Sequence, residues 1–151
     1  MSMKAVLSFC LICLFFVGNA QSNLDPVKWT FGSEKVGDNK YKITFTATIE
    51  DGWAVYSQFI EDGGPIPTTF NFDENTDIEL KDGVVEPEDK ETKYDEMFEM
   101  DLIKVKGKAE FYQMVSVKSE DQVLKGFLTY MACDDSKCLP PSDVNFEITI
   151  E

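Results

Sequence analysis

Arginine and histidine are both missing from this chain of 151 residues. Without histidine there is no imidazole base, no Ser-His-Asp triad and no ordinary zinc shell. Without arginine there is no guanidinium fork for phosphate. The only cations are lysines, 14 against 28 Asp and Glu, for a formal net charge of −14. Such a surface repels nucleic acid and anionic lipid, so no nucleic-acid partner is expected. No stretch of helical length carries a 3.6-residue period.

Long apolar runs are also scarce. The one present, Ala5 to Val17, covers thirteen residues broken only by Ser8, whereas a membrane-spanning helix needs roughly 20. Lys4 precedes it and the small residues of Gly18-Asn19-Ala20 follow, which reads as a cleaved secretory signal peptide over residues 1–20 and predicts no stable membrane insertion. Leu7-Ser8-Phe9-Cys10 is a poor lipoprotein site because a bulky Phe precedes the cysteine. What remains, residues 21–151, is enough for one domain with its own core. Losing Lys4 takes its formal charge to −15.

The chain that remains is built from short alternating segments. Tyr41, Ile43, Phe45, Ala47 and Ile49 alternate with Lys42 and three threonines, and Val144, Phe146, Ile148 and Ile150 alternate with Asn145, Glu147, Thr149 and Glu151. Both predict half-buried strands. Further strands are expected at Ala54 to Ser57, Thr68 to Phe72, Ile78 to Leu80, Asp101 to Val105, Ala109 to Val117 and Val123 to Met131, with Val27 to Phe31 near the start. Turn signals fall at Asp38-Asn39, Asp51-Gly52, Gly63-Gly64-Pro65, Asp82-Gly83, Lys106-Gly107 and Pro140-Pro141. Asp82 to Lys93 reads as a polar, mobile loop. Strands with one apolar face each need a second sheet to cover it, so the expected fold is all-β, an immunoglobulin-like antiparallel β-sandwich, with a jelly roll or small barrel second.

Cysteine is scarce as well. Of four, Cys10 and Cys13 lie in the signal segment, leaving Cys133 and Cys138 between Tyr130-Met131-Ala132 and Leu139-Pro140-Pro141. As a staple this pair closes a six-residue loop, worth roughly 2 kcal/mol against about 4.7 for a loop of 100 residues. Spacing alone leaves a staple and a redox centre both open. Metal binding is disfavoured, since two thiolates would need hard carboxylates to complete the shell, and neither a metal nor a cofactor is expected. Asp73-Glu74-Asn75-Thr76-Asp77 begins like a calcium loop but has Ile78 at the turn-glycine position and Val84 at the bidentate-Glu position. Pairs such as Asp95-Glu96 and Asp134-Asp135 are expected by chance in so acidic a chain. Asp134 and Asp135 should raise a neighbouring thiol's pKa and Lys137 should lower it, giving a dithiol that reacts only when a partner docks.

The segment Tyr130-Met131-Ala132-Cys133-Asp134-Asp135-Ser136-Lys137-Cys138-Leu139-Pro140-Pro141 resembles the active-site segment of the N-terminal periplasmic domain of the thiol:disulfide interchange protein DsbD. Asp51-Gly52-Trp53-Ala54-Val55-Tyr56 resembles that domain's early strand with its active-site tyrosines, and Tyr94-Asp95-Glu96-Met97-Phe98 its cap loop, in the same order. The resemblance implies an immunoglobulin-like sandwich whose disulfide takes electrons from a thioredoxin-like donor and passes them to exported thiol or disulfide proteins in the periplasm, among them disulfide isomerases and cytochrome c maturation factors. It implies a thiol-disulfide oxidoreductase of the protein-disulfide reductase type, in which Cys138 forms the mixed disulfide and Cys133 resolves it. Asp95, Glu96, Met97 and Phe98 would cover the sulfurs, Phe98 more completely than Met97 because it carries a ring. Tyr56 and Tyr130 match aromatic positions near the site. Two departures stand out: four residues separate the cysteines, one fewer than in the best-known members, and Ala54 stands where a second early tyrosine is expected. With no donor domain after Glu151, the donor is expected to be a separate protein and this chain a monomeric, stand-alone version. The alternative is a non-enzymatic binding or scaffold domain with a structural disulfide.

Overall fold

The computed structural model describes residues 24–119 and 121–151. Residues 1–20, read above as a signal peptide, lie outside them. The described residues contain no helix and form antiparallel strands in three sheets. The first sheet orders β1 (Val27–Gly37), β2 (Lys40–Ile49), β8 (Lys108–Val117) and β5 (Ile78–Val85) side by side; the second orders β11 (Ser142–Ile150), β9 (Gln122–Tyr130) and β4 (Thr69–Phe72). The alternation read from sequence decides which faces meet. Tyr41, Ile43, Phe45, Ala47 and Ile49 of β2, with Ala109, Phe111, Val115 and Val117 of β8, pack on Leu124, Leu128, Phe146, Ile148 and Ile150 opposite. This is the immunoglobulin-like antiparallel sandwich expected.

Phe45 centres the core, its ring 4.9 Å from Phe70, 5.1 Å from Phe146 and 5.9 Å from Phe31. The edge strand β4 approaches β9 closely because Gly126 has no side chain: a Cβ there would lie 2.0 Å from the Asn71 carbonyl oxygen. At the β1–β2 turn Asn39 takes φ 54°, a left-handed conformation that Asn tolerates.

A third sheet orders β10 (Ala132–Cys133), β3 (Ala54–Tyr56), β7 (Met100–Val105) and β6 (Glu91–Asp95). Its faces divide by alternation: Val55, Val105 and Ala132 join the main core, whereas Tyr56, Leu102 and Cys133 form a second cluster. Two expectations are corrected here. Asp82 to Lys93 is not one loop: β5 runs on to Val85 through a register shift after Lys81, with Asp82 at φ 56°, and β6 starts at Glu91. Asp82-Gly83 therefore marks a bulge within a strand instead of a turn between two. The strand foreseen at Val27 to Phe31 extends to Gly37, pairing with β2 along its length.

Candidate functional site

Both cysteines lie where β9 gives way to β11, and the chain between them is folded back tightly. Cys133 pairs with Ala54 on β3 and forms an isolated antiparallel bridge with Cys138, to which it is disulfide-bonded. The Asp134 N–H donates to the Lys137 carbonyl and the Leu139 N–H to the Ala132 carbonyl, each at 2.9 Å. One carboxylate oxygen of Asp134 accepts from the Ser136 N–H, the Ser136 hydroxyl and the Lys137 N–H, all at 2.8 Å. Those bonds, led by the Ser136 N–H, hold the Asp134 carboxyl below the ordinary carboxylate range. The sulfurs are unequal: Cys133 is 4 % exposed, Cys138 half-buried.

Over this loop lies the tip of the β6–β7 hairpin. Asp95 ends β6 and pairs with Met100 at the start of β7, leaving residues 96–99 as the turn. The Asp95 carboxylate shapes that turn by accepting the Met97 N–H at 2.9 Å and the Phe98 N–H at 3.2 Å, while its other oxygen takes a bond from Lys104 Nζ at 2.7 Å. Burial pushes the Asp95 carboxyl up, but the Lys104 ammonium and these N–H groups outweigh it and hold it below its usual value. Met97 Sδ stands 3.7 Å from Cys138 Sγ. Since Cys138 is in a disulfide and carries no S–H, this is a packing contact between sulfurs and not a hydrogen bond. The Phe98 ring meets Tyr56 edge-on at 6.4 Å. Around them Leu102, Cys133, Ile60, Met100, Met131 and Cys138 complete a small apolar cluster.

Tyr56 is fully buried there, and burial, with the Asp95 charge second, pushes its phenol up to about 12. Lys104, its cross-strand partner, places Nζ 6.0 Å from the ring centroid. Lys137 lies over Trp53 at 5.8 Å. Beside the disulfide is a cleft of about 230 Å³ between the hairpin tip and the cysteine loop, lined by Lys93, Tyr94, Glu96, Met97, Asp134 and Asp135 among others. A larger groove of about 380 Å³, between the edges of β4 and β5, contains no cysteine. Among the described residues no group of three or more His, Cys, Asp or Glu is placed to hold a metal ion.

Cys133, Cys138, Tyr56, Asp95, Met97 and Phe98 thus converge, and Glu96 lines the adjacent cleft. Tyr130 does not join them: its ring packs 5.7 Å from Trp29 in the main core, where burial raises its pKa. Met97 touches Cys138 Sγ, while Phe98 packs against Tyr56 in the same cluster. Sequence reasoning missed Lys104, although its alternation with Leu102 puts both on one face of β7. It also missed Glu86, a buried carboxylate that accepts the Ser57 hydroxyl at 2.9 Å and the Lys90 ammonium at 2.8 Å and so anchors the chain just after Tyr56.

A family model described as the thiol:disulfide interchange protein DsbD, N-terminal, matches residues 24–150. Among solved structures, the N-terminal periplasmic domain of ScsB from Proteus mirabilis superposes with a TM-score of 0.54 at 19% identity, over 80% of this chain and 44% of that one. The chain thus spans less than half of that ScsB structure. The DsbD N-terminal domain from Neisseria meningitidis, in the reduced form, aligns at 21% identity over 79% of this chain and 83% of that one, with a TM-score of 0.45. No curated protein matches.

Proposed function

Because this chain belongs to the family of the N-terminal domain of the thiol:disulfide interchange protein DsbD, we propose that it is a periplasmic electron relay working through the Cys133–Cys138 bond. Family and disulfide together make it a thiol-disulfide exchange domain, and its family deals with thioredoxin-like proteins in general. The finer reading is that a thioredoxin-like dithiol reduces the bond and that the resulting dithiol reduces an exported protein.

The observation that carries this reading is the inequality of the two sulfurs. Cys133 is buried with Tyr56 and Leu102, whereas Cys138 is half-buried with the exposed Met97 against its sulfur. An incoming thiolate must approach in line with the S–S bond, and Cys138 is the sulfur with a movable cover. Attack on Cys138 forms the mixed disulfide and expels Cys133 as a thiolate. The donor's second thiolate then attacks the donor sulfur of that mixed disulfide and releases Cys138. Two electrons and two protons have moved to this chain. Onward transfer runs the other way: Cys138 attacks the acceptor's disulfide, and Cys133 resolves the adduct.

Asp95 and Lys104 hold the cover in this scheme, and Asp134 keeps the two sulfurs close after reduction. Replacing Cys133 with Ser should leave Cys138 trapped as a mixed disulfide with a periplasmic protein. No trapped partner, together with a bond that stays oxidised against strong dithiols, would leave only a structural bridge. In that event Cys133→Ala with Cys138→Ala would keep whatever partner the domain binds.

A further inference from the structure

Met97 offers something that a cover made only of carbon would not. Among the described methionines it is the exposed one, at 47 %, while Met100, Met114 and Met131 are half-buried. Its thioether is held in place, with the backbone N–H fixed by Asp95 at 2.9 Å and the sulfur against Cys138 Sγ at 3.7 Å. The most oxidisable atom of the hairpin tip therefore rests on the sulfur it shields.

We propose that Met97 is an oxidation site through which peroxide regulates access to the Cys133–Cys138 bond, an inference that rests on the relay reading above. The thioether sulfur attacks one oxygen of hydrogen peroxide, the O–O bond breaks, an S–O bond forms, and the other oxygen leaves as water. The sulfur gives up two electrons, the peroxide takes them, and the disulfide is unchanged. The product is polar where the thioether was apolar. At 3.7 Å the two sulfurs are already in van der Waals contact, so no space remains between them for the added oxygen. The neighbouring cleft, lined by Lys93, Glu96, Asp134 and Asp135, is open and polar. The oxidised side chain turns toward that cleft to hydrate its oxygen, and Cys138 is uncovered. Peroxide then widens the path for electrons into the relay.

The test uses the full exported chain with its disulfide intact. Hydrogen peroxide is added in steps, sulfoxides are mapped by peptide mass spectrometry, and the rate of disulfide reduction by dithiothreitol is followed by thiol alkylation. Sulfoxide should form at Met97 ahead of Met100, Met114 and Met131, and reduction should then accelerate about tenfold, equivalent to about 1.4 kcal/mol. Met97→Leu should show the same rate with and without peroxide. Earlier oxidation of another methionine, a rate that ignores Met97 sulfoxide, or an equal peroxide response in Met97→Leu would overturn the inference. Because the reductant is a small dithiol, these readouts stand apart from partner trapping by Cys133→Ser, which tests the relay itself.

Discussion

Lys104 Nζ lies 2.7 Å from the Asp95 carboxylate with both side chains largely buried, at 13 % and 10 % exposure, and the same carboxylate orders the turn that carries Met97 over Cys138. The pair joins the sheet floor, where Lys104 sits over Tyr56, to the lid above the sulfurs. The tip is thereby given one preferred position. That position is held by charge-assisted bonds together with the packing of Phe98 against Tyr56.

Asp95→Asn tests this coupling. Lys104 would keep a weaker, neutral partner at the wall of the polar cleft, and a stability loss of about 1 kcal/mol is expected from urea unfolding. The disulfide should at the same time become easier to reduce by a small dithiol. The pH dependence has a definite sign. The Asp95 carboxyl is held below its ordinary value of 3.8 in the folded state, so its contribution is fully present above that pH and is lost as pH falls through the lower folded value. Reduction by a phosphine, which needs no thiolate, should therefore speed up in wild type only as pH falls below 3.8. Asp95→Asn should lose that component of the pH profile.

Tyr56 makes the opposite kind of statement. Its phenol is raised to about 12, by burial first and by the Asp95 charge second. Keeping it neutral stabilises the fold fully below the ordinary tyrosine value of 10.0, and that contribution fades as pH rises from there toward 12. An ultraviolet titration of the native protein should show a late-ionising tyrosine that Tyr56→Phe removes. Ionisation of every tyrosine near its ordinary value would mean that the cluster under the disulfide is open to water.

Gly126→Ala should be among the more damaging single changes in the second sheet. The added Cβ would stand 2.0 Å from the Asn71 carbonyl oxygen and 2.7 Å from the Phe146 ring, and backbone cannot yield as a flexible side chain can. A loss of about 2–3 kcal/mol is expected from overpacking, measured by denaturant unfolding. Val123→Ala, a smaller change at a half-buried position three residues before Gly126 on the same strand, provides the milder comparison.

The contrast between Gly126 and the cap shows what a sequence carries and what it does not. Alternation in Tyr41 to Ile49 and Val144 to Ile150 mapped directly onto buried faces, since a half-buried strand must write its period into its residues. β6 carries no such record: it is an edge strand with Glu91, Thr92, Lys93 and Tyr94 all exposed, so nothing alternates, and the polar run read as loop. β10 is two residues long, below any period. The bulge in β5 put Asp82 and Gly83 where a turn is ordinarily written. Within the site, motif order brought Cys133, Cys138, Tyr56 and the tip together, but the separate contacts of Met97 and Phe98 depend on the geometry of a four-residue turn. Lys104 was missed because its partner, Asp95, is nine residues away and meets it only through hairpin pairing.

The last expectation separates the sulfurs by reactivity. In Cys133→Ala the remaining Cys138 thiol would lie half-exposed beneath Met97; in Cys138→Ala the remaining Cys133 thiol would stay packed with Tyr56 and Leu102. Burial disfavours the thiolate, the form that reacts, and a rise of one pKa unit corresponds to about 1.4 kcal/mol. Steric exclusion adds to that electrostatic cost, so iodoacetamide should modify Cys133 at least about tenfold more slowly than Cys138 at neutral pH. Unfolding in urea should abolish the difference, which distinguishes a property of the fold from a property of the flanking residues. Equal rates in the folded variants would show that the floor of the site shields neither sulfur, and attack at Cys138 would lose its structural basis.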